Sequence, residues 1–415
     1  MKKILAKLEV ILKVDLRYIL KNGLWLTLDD VISVVVSTIL TIIFANTVSK
    51  EVYGSYRYIL SVFGILTIAT LPNMNIALAS SVARGEEGII HQALRTRIRW
   101  GLLGAVASLA FGGYQLFLGR TELGIAFFVT AIFLPVMDSL NLYDGFLRGK
   151  KLFNLQSQYS IAARLISTGA LIFTLFYTKN LIAILFAFFL PYVLTRLFFY
   201  QRTLKKNPSV PSNGSSETIT YGKHLSLLQL LGVLVNYLDN LLIFHYLGAA
   251  PLAIYSIAMA PIKKIQQAFS VLPDLALPKF SARTIAETKQ KLPAQIIRGL
   301  IAVGVVIIAY VLLAPVLFDL FFSKYRDALP YTRLLTLAWV GLPFSLIYTL
   351  FQAHAKKKEI YLYNLILRLG QLILIIWLVA SYGIYGAVLA RILLQAISIP
   401  LFFYLFKKIK DTKKT

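Results

Sequence analysis

Residues 299–321 read GLIAVGVVIIAYVLLAPVLFDLF, a run of 23 residues whose one charge, Asp319, stands near its end. As a helix this run rises about 34 Å at 1.5 Å per residue. That is enough to cross roughly 30 Å of hydrocarbon. The charges stop at its borders, with Arg298 just before it and Lys324 and Arg326 just after. The run is too long and too evenly apolar for the alternating strand of a barrel, so it reads as a membrane-spanning helix.

The same pattern recurs along the chain. Apolar runs between charged or turn-forming breaks fall at 24–46, 54–77, 100–118, 123–146, 157–178, 181–201, 225–247, 252–276, 299–321, 334–353, 360–380 and 384–406. Composition agrees: of 415 residues 58% are hydrophobic and 15% charged, with mean hydropathy +0.72. Soluble domains sit nearer half and a quarter, which disfavours disorder and an ordinary soluble enzyme. The expected fold class is all-α: a polytopic membrane protein of about 12 transmembrane helices in two pseudo-symmetric six-helix lobes around a central cavity. The sequence contains no cysteine, which excludes disulfides, thiolate metal sites and cysteine catalysis.

The formal charge of +25 is explained by where the basic residues lie. Thirty of the 43 Lys and Arg fall in segments on the N-terminal side of the membrane, and six in the opposite loops. This bias sets both termini in the cytoplasm and removes the need for a nucleic-acid partner. Residues 1–23 are expected to lie on anionic headgroups as a basic amphipathic helix, since Lys7, Lys13, Asp15 and Arg17 interrupt any signal-peptide core. Residues 202–224 form a Pro/Ser/Gly-containing cytoplasmic linker between lobes 24–201 and 225–406, and 407–415 form a basic tail.

The two lobes look like a repeat. Leu197-Phe198-Phe199-Tyr200 recurs as Leu401-Phe402-Phe403-Tyr404, an offset of 204, and Tyr159, Arg164 and Leu165 meet Tyr363, Arg368 and Leu369 at that offset. Gly54-Ser55-Tyr56 resembles Ala253-Ile254-Tyr255 at offset 199. Six spans per half make the repeat parallel, the plan of transporters that bind substrate between halves and rock one against the other.

Two junctions carry a family resemblance. Phe44-Ala45-Asn46-Thr47-Val48-Ser49-Lys50-Glu51-Val52-Tyr53-Gly54 joins the first two spans; Tyr237-Leu238-Asp239-Asn240 through Leu247-Gly248 to Ile254-Tyr255-Ser256 joins the seventh and eighth. With the 6+6 plan, they resemble the polysaccharide-exporter (Wzx-type) flippases of the multidrug/oligosaccharidyl-lipid/polysaccharide exporter superfamily. The resemblance implies translocation of undecaprenyl-pyrophosphate-linked oligosaccharide to the outer leaflet of a bacterial or archaeal cytoplasmic membrane. It also implies a glycan polymerase and a chain-length regulator as partners and a monomeric transporter embedded in membrane lipids. One departure is that Leu71-Pro72-Asn73-Met74-Asn75 fills the turn after the second span, where the family often has a small apolar turn followed by Arg; here the first Arg is Arg84. The related lipid II flippases usually have extra spans.

Charges inside spans are costly and mark function. Near the span midpoints six cations (Arg164, Arg196, Lys263, Lys264, Arg368, Arg391) face three acids (Asp30, Asp138, Asp239), an excess suited to a pyrophosphate. Lys263 and Lys264 follow Pro261 mid-span and, about 100° apart on a helix, cannot both face lipid cheaply. Arg164, Arg368 and Arg391 are candidates for gripping phosphate in a fork, and Arg57 for holding the headgroup at the outer face. Snorkelling is the simpler role for Arg196. Asp239, Asp138 and Asp30 are candidates for Na⁺ or proton coupling or for gating, with a salt bridge from Asp239 to Lys263 or Lys264 the more economical reading and Asp29-Asp30 a gate pair. No cofactor is expected: the four His are scattered and no Gly-rich nucleotide loop is present. Two other functions remain open. A multidrug antiporter of the same superfamily needs a net acidic cavity, and a membrane-embedded polymerase or ligase needs a larger outer loop than 322–333.

Overall fold

The structure is a computed structural model that describes residues 16–208, 216–269 and 271–409. Most of the expected surface helix (1–15), the middle of the linker (209–215) and the end of the tail (410–415) lie outside the described residues. Residues 16–23 run without a break into the first span as part of helix α1 (Leu16–Thr47). All regular structure among the described residues is helical, and ten helices are long and apolar enough to cross a membrane. The longest, Lys357–Lys408, is two helices joined at Gly383, whose φ of 58° and ψ of −130° only glycine takes readily. Helix Ala249–Phe269 stands outside the ten; Lys263, Lys264, Gln266 and Gln267 reduce its apolarity. The twelve expected spans thus fall on helices, apart from the break in 54–77.

The chain folds as two compact units. The first comprises the described residues of Met1–Thr47 with Ile59–Val233; the second comprises Val48–Tyr58 and the described residues of Leu234–Thr415. Helix α2 (Lys50–Leu66) is therefore shared, its first residues belonging to the second unit.

In the first unit the expected span 54–77 is interrupted. After α2 come a 3₁₀ turn (Thr67–Thr70), Leu71 at φ 55°, and helix α3 (Met74–Ala83). Proline explains why the helix stops: Pro72 disfavours the right-handed helical region for Leu71, which closes the turn left-handed with its N–H on the Ile68 carbonyl. Helix α4 (Ile89–Phe117) starts eleven residues before the expected 100. Helices α5 (Thr121–Met137), α6 (Leu142–Gly149), α7 (Phe153–Tyr177) and α8 (Leu181–Lys206) follow. Helix α9 (Ser216–Leu228) covers α3, with Asn73 donating to the Leu225 carbonyl at 2.9 Å and Gly222 seated on Met74.

The second unit holds α10 (Leu230–Leu247) from Leu234 onward, then α11 (Ala249–Phe269), α12 (Val271–Ser281), α13 (Ile285–Phe321), α14 (Leu329–Leu335), α15 (Ser345–Ala353) and α16 (Lys357–Lys408). The contacts that place Val48–Tyr58 here are specific. A Cβ on Gly54 would stand 1.8 Å from the Ala249 carbonyl oxygen, Tyr58 stacks on Phe244 at 3.7 Å, and Lys50 pairs with Asp327 at 2.6 Å. The quoted run lies in α13, which a capping box opens: Thr284 Oγ1 accepts from the Glu287 N–H and Glu287 from the Thr284 N–H.

The repeat is visible in the packing of each unit. In the first, Tyr159 stacks on Phe199 at 4.3 Å with Tyr143 beside it; in the second, Tyr363 stacks on Phe402 at 4.2 Å with Tyr348 beside it. A helix–proline contact recurs too. A Cβ on Gly101 would come within 2.8 Å of Pro135, and one on Gly299 within 2.9 Å of Pro343. In both places the backbones approach because glycine has no side chain.

Candidate functional site

Asp239 on α10 is 2% exposed and forms the centre of a polar cluster in the second unit. The Tyr255 hydroxyl on α11 donates to Asp239 Oδ2 at 2.6 Å and accepts from Arg391 Nε at 2.8 Å. Arg391, on the last helix, closes the triangle by donating from Nη2 to the same carboxylate oxygen. The Asp239 carboxylate is therefore held by Arg391, not by the lysine expected from the sequence. Each member satisfies the others, which is what burial of a charge inside a membrane protein demands. Lys263 stands within electrostatic reach of Asp239, Arg391 and Arg57, so two cations, Arg391 and Lys263, act on the one acid and Arg57 acts on Lys263. It is itself exposed, and among the described residues no carboxylate lies within ion-pair distance of it. Lys264 and Arg57 are half-buried.

Arg391 also lines a cavity of about 190 Å³ inside the second unit. Gln266, Gln371, Gln395, Tyr363 and Ser398 share its wall. Such a lining offers donors and acceptors but no further charge, chemistry matched to hydroxyl groups. Arg368 is half-buried, and among the described residues it too has no acid within ion-pair distance.

The first unit has a charged cavity of its own, about 330 Å³, with Asp29, Asp144, Arg148, Gln156, Arg164 and Arg196 in its wall. Its arginines are committed. Arg164 pairs with Asp29 at 2.9 Å, Arg196 with Asp138 at 3.0 Å, and Arg148 with Asp144 at 3.0 Å. Arg196 also donates to the Met137 carbonyl at 2.8 Å, so it is bound inside the unit and does not snorkel as expected. Of the expected gate pair Asp29 carries the ion pair, while Asp30 is exposed. The repeat-matched arginines thus differ: among the described residues Arg164 has an acid partner and Arg368 has none.

The sequence reading missed Arg97, which it counted among loop cations. The side chain is 1% exposed, donating from Nε to the Thr70 carbonyl at 2.7 Å and from Nη1 to Asn75 at 3.2 Å. It holds the left-handed turn at Leu71. The signal was present in Arg95, Arg97 and Arg99: on a helix the outer two share a face and the middle one points opposite. Arg95 and Arg99 are indeed exposed. Nothing in the sequence marks Tyr255 as the hydroxyl that joins Asp239 to Arg391. Among the described residues no group of His, Asp or Glu could hold a metal ion.

The model of the family described as "polysaccharide biosynthesis protein" matches residues 19–270, more than half of the chain. The chain belongs to the polysaccharide biosynthesis protein family. No curated protein matches it in sequence. Among solved structures, this family member is similar to a multidrug resistance MATE transporter of the MOP superfamily in an outward-facing conformation. That likeness has 16% identity and a TM-score of 0.60, covering 95% of this chain and 96% of the other. A MOP superfamily transporter from Pyrococcus furiosus, whose reversed binding-pocket polarity suggests a different function, is similar at 16% identity and a TM-score of 0.59, covering 95% and 96%. The inward-facing MATE structure gives 14% identity and 0.54, covering 91% and 100%. The polysaccharide biosynthesis protein therefore has the MATE-like fold of MOP transporters.

Proposed function

We propose that this polysaccharide biosynthesis protein is a flippase, not an enzyme, that moves polyprenyl-pyrophosphate-linked oligosaccharide across the cytoplasmic membrane by alternating access. The glycan would be an O-antigen, capsule or exopolysaccharide unit, passed on to a polymerase and chain-length regulator. The observation that carries this reading is the polarity of the second unit's cluster, where Arg391 and Lys263 act on the single Asp239 and Arg57 stands within reach of Lys263. A net positive cluster attracts pyrophosphate and repels cationic drugs. For the Pyrococcus furiosus transporter of the same fold, reversed pocket polarity suggests a different function, and the cationic cluster here is read in the same way. The cavity beside Arg391, rich in amides and hydroxyls, suits the first sugars of the glycan. Proton or Na⁺ coupling is assigned to Asp239, whose neutralisation would free Arg391 for the substrate; Asp138 stands in the same relation to Arg196.

The test is flipping of a fluorescent lipid-linked oligosaccharide in proteoliposomes. Lys263→Ala with Lys264→Ala is expected to lower the rate at least tenfold with normal membrane insertion, and Arg368→Ala to act likewise. Full transport by these variants, or export of a cationic dye in place of the glycolipid, overturns the reading.

A further inference from the structure

A second cationic feature of the second unit lies apart from the Asp239 cluster. A groove of about 430 Å³ runs between α12, α13 and the segment Leu342–Leu346. Leu272, Leu275, Ala276 and Phe280 form much of its apolar wall, and Lys279, Arg283 and Arg298 stand along it. Among its described lining residues there is no carboxylate.

The order of these groups along α12 matters. Leu272 and Leu275 fall within the expected span, Lys279 lies beyond its end, and about 10 Å separates Leu272 from Lys279 at helical rise. Hydrocarbon contacts thus lie on the membrane side and the positive charges at the interface. The first unit supplies a contrast. Its α3, the equivalent helix by order, buries Met74, Leu78 and Val82 completely or nearly so under α9 and the start of α4. On α12 the leucines at 272, 275 and 277 keep 47%, 61% and 37% of their surface exposed.

We propose that this groove binds one anionic phospholipid of the leaflet that the basic loops assign to the cytoplasm. Its phosphate sits among Lys279, Arg283 and Arg298, and one acyl chain lies along Leu272 and Leu275. The occupant follows from complementarity: an amphiphile with one negative head and an apolar tail matches both ends of the groove. Basic pockets on the cytoplasmic side of membrane helices recognise such heads, each nearby cation adding to the attraction. The chain's own termini are not the occupant, because the N-terminal segment brings Lys2, Lys3, Lys7 and Lys13 and the tail Lys410, Lys413 and Lys414. Like charges repel there.

The experiment is native mass spectrometry of the full chain in detergent, titrated with phosphatidylglycerol, phosphatidylcholine, inorganic phosphate or undecaprenyl pyrophosphate. One phosphatidylglycerol is expected to bind at least tenfold more tightly than phosphatidylcholine and to resist competition from inorganic phosphate. Lys279→Gln with Arg283→Gln and Arg298→Gln should erase that preference, while Lys279→Arg with Arg283→Lys and Arg298→Lys keeps it. Should the triple Gln variant not extract as a single species, Arg298→Gln alone is expected to weaken binding about threefold. Equal affinity for the two phospholipids, or unchanged binding by the Gln variants, overturns the proposal. So does displacement of phosphatidylglycerol from the groove by undecaprenyl pyrophosphate or inorganic phosphate. The flipping assay with Lys263 and Lys264 variants reads the substrate path separately, so either result can fail alone.

Discussion

Asp239 and Arg391 form an ion pair in which one partner is 2% exposed, and a carboxylate so placed depends on its guanidinium. Removing one member of a buried pair leaves the other charged and desolvated, at a cost of about 3–5 kcal/mol. Removing both leaves no stranded charge. Arg391→Ala is therefore expected to lower the detergent melting temperature sharply, and the double variant Asp239→Ala with Arg391→Ala to recover a large part of the loss. Thermal unfolding of the two variants checks this, and an Arg391→Ala protein as stable as the parent would show that the pair is not structural. The same reasoning separates two other cations of the unit. Lys263 and Arg368 hold no carboxylate among the described residues, so their removal should change transport and leave stability nearly untouched.

Helix α16 shows how an element's length and its break are set independently. Its 52 residues are two helices that meet at Gly383, where φ turns positive and breaks the helical path. An alanine there takes a sparsely populated backbone region, costing about 1–3 kcal/mol. Its Cβ would also come within 3.1 Å of Leu247. Gly383→Ala is thus expected to lower the melting temperature by several degrees; an unchanged melt would mean the turn relaxes without strain. This break was legible, because Ser381-Tyr382-Gly383 separates two apolar runs. The break at Leu71 was not. There Pro72 acts through the residue before it, and the partner that holds the turn, Arg97, comes from the next long helix. The pairing of Asp239 was illegible for a related reason: hydropathy fixes how deep a charge lies, but not which of several cations at similar depth meets it. Lys263 was closest in sequence, whereas Arg391 was placed by the last helix of the unit.

At the scale of the whole molecule, we assign most of the +25 charge to orienting the chain and propose that the few cations inside spans meet the substrate. Thirty basic residues on one side argue that both termini face the cytoplasm, since translocating short basic loops is opposed by the membrane potential. The absence of cysteine makes this directly measurable, because an introduced cysteine is the only thiol in the chain. Lys206 and Lys324 are both exposed, and the charge bias assigns them to opposite sides of the membrane. A membrane-impermeant maleimide is expected to label Lys324→Cys in intact cells and Lys206→Cys only after lysis. The reverse pattern would invert the topology, placing the groove at Arg283 and Arg298 in the opposite leaflet and reversing the direction in which a headgroup would enter.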